Sequence, residues 1–414
     1  MIDGHPLAGK RVAIVAGNFS PEIGYQEVDL ANAFTRLGAH VRVLTSTRPS
    51  RNVRALVRED YPAGLTRADG YDIVRLVPRL TLGTNVLGCK TLPVVRDFAP
   101  DHVVLVGPGK LFGLDLFSSE APSWRRIAII QDNSDDGRGG GPIAKKLLRF
   151  AAHRAVKRPA YRRVVRNADR VVLNVPETRE IISAWLGDTE RRQLTATGLD
   201  LRLGFDPHEF FFDPDARHAW REKHGVSEDD LLLVTCTRAV PGKKLEDIVD
   251  TVSRLQQDGR PIRYALAGVL DDEYGRALLG HVGAQPDPSG FILFPVIRHH
   301  EMRELFSAGD LGYWPRTAIT IQQAMGTGLP VVLRNAPNVN HLLTDGENGW
   351  YIQSGQTLEQ VLGEAVAAVE ALDSSERLAR RQDIASSNSK YLSYDRIALD
   401  IVNGFPDTTK VDAK

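Results

Sequence analysis

Arg238, Lys243 and Lys244 stand in the segment TRAVPGKKLEDI, directly after the apolar run LLLVTCT and just ahead of a helical stretch. Cations at a strand end and a helix start are out of place unless an anion is near. The helix dipole disfavours positive charge there by about 0.3–1 kcal/mol. A diphosphate would reverse that cost through charge-assisted hydrogen bonds to both side chains. The same lysines also read as solvated residues offset by Glu246 and Asp247. A second stretch, WPRTAITIQQAMGTGLPVVL from Trp314 to Leu333, gives strand, turn, helix and strand. Its helix start near Ala318, Ile319 and Thr320 offers backbone amides to a phosphate. Gln323, one turn in, can donate and accept. No Asp or Glu lies anywhere in this stretch, so it has no carboxylate for acid–base work. Its competing reading is an ordinary buried helix of an α/β sheet.

The first half of the chain offers weaker candidates. Gly24 lies in NFSPEIGYQEVD after the strand RVAIVAG, where free helix-start amides could meet an anion. The spaced glycines of a dinucleotide fingerprint are missing, and a plain strand-to-helix turn explains the segment. GPGKLFG and QDNSDDGRGGGP each follow a strand, and Asp132 is placed to face a cleft. Asp132, Asp135 and Asp136 could ligate a hard cation, but no further ligand signature accompanies them, and the loop reads as solvated. The D-x-D at Asp213 to Asp215 sits in a linker rather than after an apolar strand. The run from Lys145 to Arg170 is strongly basic with one acid, Asp169. It reads either as a face for an anionic membrane or partner or as a surface helix balancing acids elsewhere. No catalytic triad, zinc-ligand cluster or P-loop is visible.

These segments need a scaffold that places strand ends side by side. Short Val- and Ile-rich runs alternate with helical stretches, restarting after GLDLRLGFDPHEFFFDPDA. That pattern predicts an α/β fold of two Rossmann-like, doubly wound domains facing a cleft, with ligands beyond the C-terminal strand ends. The domains are expected at 1–204 and 205–385. A terminal segment, 386–414, should hold a helix packing back toward the first domain and a disordered tail. The 414 residues carry 52 Lys plus Arg and 52 Asp plus Glu, so net charge gives no pull toward nucleic acid. Two cysteines, with no signal-peptide run and no apolar stretch near the ~18 residues of a membrane span, suggest a cytoplasmic protein. Peripheral contact with the membrane is left open.

Taken in order, the segments resemble the two-domain GT-B glycosyltransferases, and within them the retaining family 4. PEIGYQEVDLANAFTRLGAHVRVLTS, ADRVVLNVPETREII and LGFDPHEFF in the first half, and TRAVPGKKLEDIV, HHEMRELFSAGDLGYWP, AMGTGLPVVL and HLLTDGENGWYI in the second, follow that family's order and spacing. The resemblance implies a nucleotide-diphosphate sugar as co-substrate, UDP- or GDP-linked, with no metal or other cofactor. It implies that Arg238 and Lys243 meet the diphosphate, that the backbone of Val296 and Ile297 meets the base, and that the amides of Ile319 and Thr320 meet a phosphate. Gln323 matches the glutamate that holds the ribose, and Gly24 the glycine loop near the phosphates. Asp132 falls where the family has a His-Asp pair, with Gln131 in place of His. The family's E-x7-E is replaced by Pro315 and Gln323. The expected activity is retaining sugar transfer to a cell-envelope, polysaccharide or secondary-metabolite acceptor. The alternative is a catalytically inactive GT-B protein serving as a partner or scaffold subunit.

Overall fold

The computed structural model describes residues 4–22, 25–49, 59–68, 70–82, 85–120, 122–131 and 143–403, without the side chains of 143–153 and 156. The chain divides into two units. The first runs to Leu203 and resumes at Tyr394; the second spans Gly204–Ser393. The first contains β1 (Arg11–Ala16), α1 (Gln26–Arg36), β2 (His40–Ser46), β3 (Gly64–Ala68), β4 (Tyr71–Leu76), β5 (Leu80–Leu82), β6 (Asn85–Leu87), α2 (Leu92–Phe98) and β7 (His102–Val106). It continues with β8 (Arg125–Ile130), α3 (Ile143–Asn167), β9 (Arg170–Leu173), α4 (Pro176–Ser183), α5 (Asp188–Thr197) and β10 (Gly198–Asp200). The second holds α6 (Pro214–Lys223), β11 (Leu231–Cys236), α7 (Glu246–Gln257), β12 (Ile262–Ala267), α8 (Glu273–Gly283), β13 (Phe291–Phe294) and α9 (His299–Ala308). After these come β14 (Leu311–Trp314), α10 (Thr320–Gly326), β15 (Val331–Arg334), β16 (Gly349–Ile352), α11 (Leu358–Glu370) and α12 (Ser374–Leu392). The last helix, α13 (Tyr394–Val402), belongs to the first unit.

Among the described residues, the first unit's main sheet has the order β10-β9-β8-β7-β1-β2-β4-β3 and the second unit's the order β13-β12-β11-β14-β15-β16. Every pairing in both is parallel except β3 with β4. Parallel strands covered on both faces must be apolar throughout, and β11 is buried at all six positions. Its side chains alternate between two cores. Leu232, Val234 and Cys236 enter one, and Leu231 and Leu233 the other. In the first unit Val12, Ile14 and Ala16 of β1 pack on one face, Ala13 and Val15 on the other.

Polar anchors fix the helix ends. Asp310, buried after α9, accepts from Arg217 (2.9 Å), Arg221 (3.2 Å) and the Leu232 amide (2.8 Å). The same two arginines and Arg381 of α12 donate to the last carbonyls of α9, which closes that helix's C-terminus inside the unit. Gly328 ends the small-residue run after α10 with φ +71°, and a Cβ there would lie 1.9 Å from the Arg381 carbonyl oxygen. Only glycine lets α12 pass that close. Asp213 caps α6 through the Ala216 amide at 3.0 Å, so its D-x-D context is a helix start. In the first unit α13 buries Ile397, Ala398 and Ile401 in the core that also holds Leu30, Ala33 and Phe34 of α1. Arg36 pairs with Asp395 at 2.6 Å.

Candidate functional site

Sheet order decides where a ligand can sit. In the second unit the chain leaves β11 outward to β12 and β13, then returns to place β14 on the opposite side of β11. The connections after β11 and β14 therefore diverge onto opposite faces, and a crevice opens between their C-terminal ends. Arg238 follows β11 by two residues, and Arg316 follows β14 by two. The two strands are locked at this edge. The Trp314 indole N–H donates to the Cys236 carbonyl (3.0 Å), and the Thr320 hydroxyl donates to the same oxygen (2.7 Å). Thr320 thus fastens the start of α10 beside the residues that follow β11. The neighbouring strand end is drawn in as well. Thr237 donates to Ala267 (2.9 Å) and Ala239 to Gly268 (2.8 Å). Gly268 has φ +113°, and a Cβ there would lie 2.2 Å from the Thr237 carbonyl oxygen, so no other residue fits.

On this frame Lys243 closes a short 3-10 turn, Pro241–Lys243, and folds back toward the strand end. Its ammonium donates to the Thr237 hydroxyl and to the Arg238 carbonyl (3.0 Å). Burial, then the Arg238 charge and, more weakly, the Arg316 charge pull its pKa down to about 8, with Cys236 acting the other way. A lysine held with a weakened proton and other cations around it is short of an anion. Lys244, which sequence alone ranked with Lys243, is exposed in a left-handed backbone with φ 48°. Among the described residues no carboxylate pairs with Arg238, Lys243 or Arg316; Glu246 instead accepts from the Tyr274 hydroxyl at 2.8 Å. Cys236, the last residue of β11, is buried, and its thiol is pushed up to about 12 by that burial.

The amides of Ile319 and Thr320 meet no acceptor among the described residues, whereas Ile321 donates to Ala318 at 3.1 Å. Gln322, oriented so that its amide nitrogen donates, bonds to the Ile319 and Ala318 carbonyls. Gln323 is 1 % exposed, and its Oε1 has no partner. A buried carbonyl oxygen left unmatched costs about 1–3 kcal/mol, a cost that a ligand hydroxyl would remove. Val296 and Ile297 follow β13 and line a cavity of about 470 Å³ with Trp220, His224 and Phe294. Pro295, just before them, accepts from the Gly268 amide at 3.0 Å. The structure thus gathers Arg238, Lys243, Ile319, Thr320 and Gln323 around β11 and β14, and puts Val296 and Ile297 on the far side of β12. Arg316 was passed over in sequence because a lone exposed arginine in a turn carries no pattern.

Gly24 and Asp132, together with Asp135 and Asp136, lie outside the described residues. At the corresponding edge of the first unit Gln131, after β8, donates to the Gln26 side chain, which also accepts from Asn174 at 2.7 Å. Buried Glu27 has its pKa raised by that burial, against the opposing pull of Lys110. In the basic run, Arg162 (2.9 Å) and Arg166 pair with Glu190, while Arg158 donates to Trp185 and Arg163 to Phe117. These arginines bind their own unit, and no described helix is long and apolar enough to cross a membrane.

Residues 216–385 match the family described as Glycosyl transferases group 1. The solved sucrose-phosphate synthase of Thermosynechococcus elongatus superposes with a TM-score of 0.68 at 15 % identity, covering 95 % of this chain and 97 % of that one. The chain has the GT-B fold, and its second unit carries the match to the group 1 glycosyl transferases. The fold expected from sequence is therefore the one observed. A GDP-mannose-dependent alpha-mannosyltransferase of Mycobacterium tuberculosis is 25 % identical to this chain over 381 residues, 87 % of this chain and 88 % of the relative. Anabaena HepE, solved in complex with UDP, has a TM-score of 0.64 at 16 % identity and covers 94 % of this chain and 98 % of its own.

Proposed function

We propose that this glycosyltransferase moves a sugar, with retention, from a nucleoside-diphosphate sugar to a hydroxyl of a cell-envelope, polysaccharide or secondary-metabolite acceptor. The observation that carries the reading is the unpaired Arg238–Lys243 couple at the topological switch point, set beside the start of α10 that Thr320 pins. In the reaction the bond from the anomeric carbon to the terminal phosphate oxygen breaks, its electron pair goes to that phosphate, and the acceptor oxygen bonds to the carbon. The acceptor's proton passes to the departing phosphate. Preorganised cations stabilise the charge that develops there. They do so without a divalent ion, so the reading is metal-independent. Gln323 takes the ribose hydroxyls, the Ile319 and Thr320 amides a phosphate, and the loop at Val296 and Ile297 the base. By resemblance Asp132 joins Arg238 and Lys243 in the catalytic set, and Gly24 belongs to the glycine loop near the phosphates. UDP and GDP are the nucleotides to test, the second supported by the mycobacterial relative's name.

Thermal-shift titration with UDP, GDP, ADP and their sugars tests this directly. A ligand at 100 times its Kd adds about 2.7 kcal/mol of stability. Stabilisation by none of them overturns the reading. Pro315, standing where the family has a glutamate, favours a second reading, an inactive protein that binds nucleotide as a partner subunit. Binding without hydrolysis or transfer, across a panel of acceptors, would support it.

A further inference from the structure

The sequence pattern of the phosphate site contains two cations, but the structure brings a third. Arg316 leaves the turn between β14 and α10, and its guanidinium Nη2 lies 3.9 Å from where a Cβ on Gly242 would sit, on the Pro241–Lys243 turn after β11. Arg316 therefore bridges the mouth of the crevice between the two switch-point strands. Both its charge and that of Arg238 bear on Lys243. No acid occurs from Trp314 to Leu333 to neutralise it, and Glu246 and Asp247 at the start of α7 make no ion pair with it among the described residues. Three unpaired cations converge on one place.

A nucleoside-diphosphate sugar carries two negative charges, one on each esterified phosphate. Once the sugar has left and the proton taken from the acceptor has been released to solvent, the terminal phosphate carries a third, with a second pKa of about 6 as for other phosphomonoesters. Resting on the reading above, we infer that Arg316 is a positioning cation for the terminal phosphate, matched to the charge that appears there as the glycosidic bond breaks. Gln323, seven residues further along on α10, lies toward the ribose in that reading, so Arg316 stands at the opposite, terminal end of the diphosphate. Arg238 and Lys243 balance the two charges present in the donor. Arg316 balances the third, present only in the product and growing in the transition state. The site so built favours the departing diphosphate over the intact donor.

The test compares binding of a nucleoside diphosphate with that of its neutral-sugar conjugate, using UDP against UDP-glucose and GDP against GDP-mannose by calorimetry at pH 7.5 and 5.0. Arg316→Gln should weaken nucleoside diphosphate about tenfold at pH 7.5, as for one lost charge-assisted contact. It should weaken the conjugate by less than about twofold, and the loss for the diphosphate should shrink at pH 5.0, where the third charge is titrated away. Arg316→Lys should recover most of the affinity, and the unliganded melting temperatures should agree among the three proteins. Equal losses for diphosphate and conjugate, or no loss for either, overturn the inference while leaving the proposed function standing. If the parent protein binds none of the four ligands, the proposed function itself fails.

Discussion

Lys243 offers the sharpest test of the site because its proton is a reporter. In the unliganded protein burial and the charges of Arg238 and Arg316 hold its pKa at about 8, against 10.5 for a free lysine. A diphosphate bound to the ammonium restores the charged form, so binding above pH 8 must take up a proton. With full restoration the association constant falls about tenfold between pH 7 and 9. Because the side chain is partly exposed and solvent screens part of the effect, about fivefold is the lower expectation. At pH 8.5 roughly 0.7 proton should enter per nucleotide bound in the fully restored case. The ligand's own terminal phosphate, with a pKa near 6 (about 6), is already ionised over this range.

The assay is isothermal titration of UDP or GDP, whichever binds, in pairs of buffers with different ionisation enthalpies at pH 7.0, 8.0, 8.5 and 9.0. Lys243→Arg keeps a cation that does not titrate, so binding should persist with the pH slope gone. Lys243→Met should lose about tenfold at pH 7 and also show no slope. In the absence of ligand the sign reverses. The folded pKa lies below the unfolded one, so Lys243 costs stability below pH 8, and that cost fades as pH rises toward 10.5. A flat affinity from pH 7 to 9 with no proton uptake, in a parent protein that binds nucleotide, would refute the assignment of Lys243 to the diphosphate.

Three further substitutions separate ligand contacts from scaffold. Gln323→Leu removes the orphaned buried Oε1. It should raise the unliganded stability by up to about 1 kcal/mol in denaturant titration while weakening nucleotide binding; a weaker fold and unchanged binding would show that the side chain is structural. Asp310→Asn leaves Arg217 and Arg221 buried without their carboxylate and should cost about 3–5 kcal/mol. Although burial opposes it, Arg217 and Arg221 hold the Asp310 pKa below the usual carboxylate range, so the stability it supplies is present above the unfolded pKa and lost as pH falls through the lower folded one. Gly328→Ala meets the Arg381 carbonyl and a positive φ at once. It should cost at least the 1–3 kcal/mol (roughly) of backbone strain alone, read as a lower melting temperature.

The fold was legible because parallel sheets announce themselves. Runs such as LLLVTC are almost wholly apolar and buried at every position, which only strands covered on both faces tolerate, and the helical stretches between them leave little choice of connection. Element ends were readable where one residue dictates them, as Gly328 does after α10. The return of a terminal helix to the first unit was expected from sequence, but the junction was set at 386, whereas the chain passes back at Tyr394. α12 runs on to Leu392 without a break in its helical pattern, and a single residue, Ser393, separates it from α13. Sequence periodicity reports the start of a helix, not which core it will join.

The site was legible only in the parts that chemistry makes conspicuous. Two cations after an apolar strand look anomalous by themselves, and Arg238 and Lys243 could be singled out for that reason. Lys244 looked identical to its neighbour, and only the left-handed turn at φ 48° turns it outward. The basic run shows pairings that its sequence does not announce. Its charge density suggests a surface for anions, yet Arg162 and Arg166 converge on Glu190, whose pKa falls to about 2 because their hydrogen bonds and charge, with a backbone contact, overcome the opposing effect of burial. The pairing joins α3 to α5, across a separation that no spacing rule covers. Arg316 is the same lesson at the site itself. Looking for carboxylates between Trp314 and Leu333 finds none and suggests a loss. Folding the two strand ends together shows that the same turn carries a charge of the other sign, Arg316, beside the Pro241–Lys243 turn after the neighbouring strand. A turn that lacks a base but places a cation near the leaving group can still lower a barrier whose main cost is charge on a departing diphosphate. The absent glutamate is therefore weak evidence for an inert protein so long as Arg316 remains unpaired.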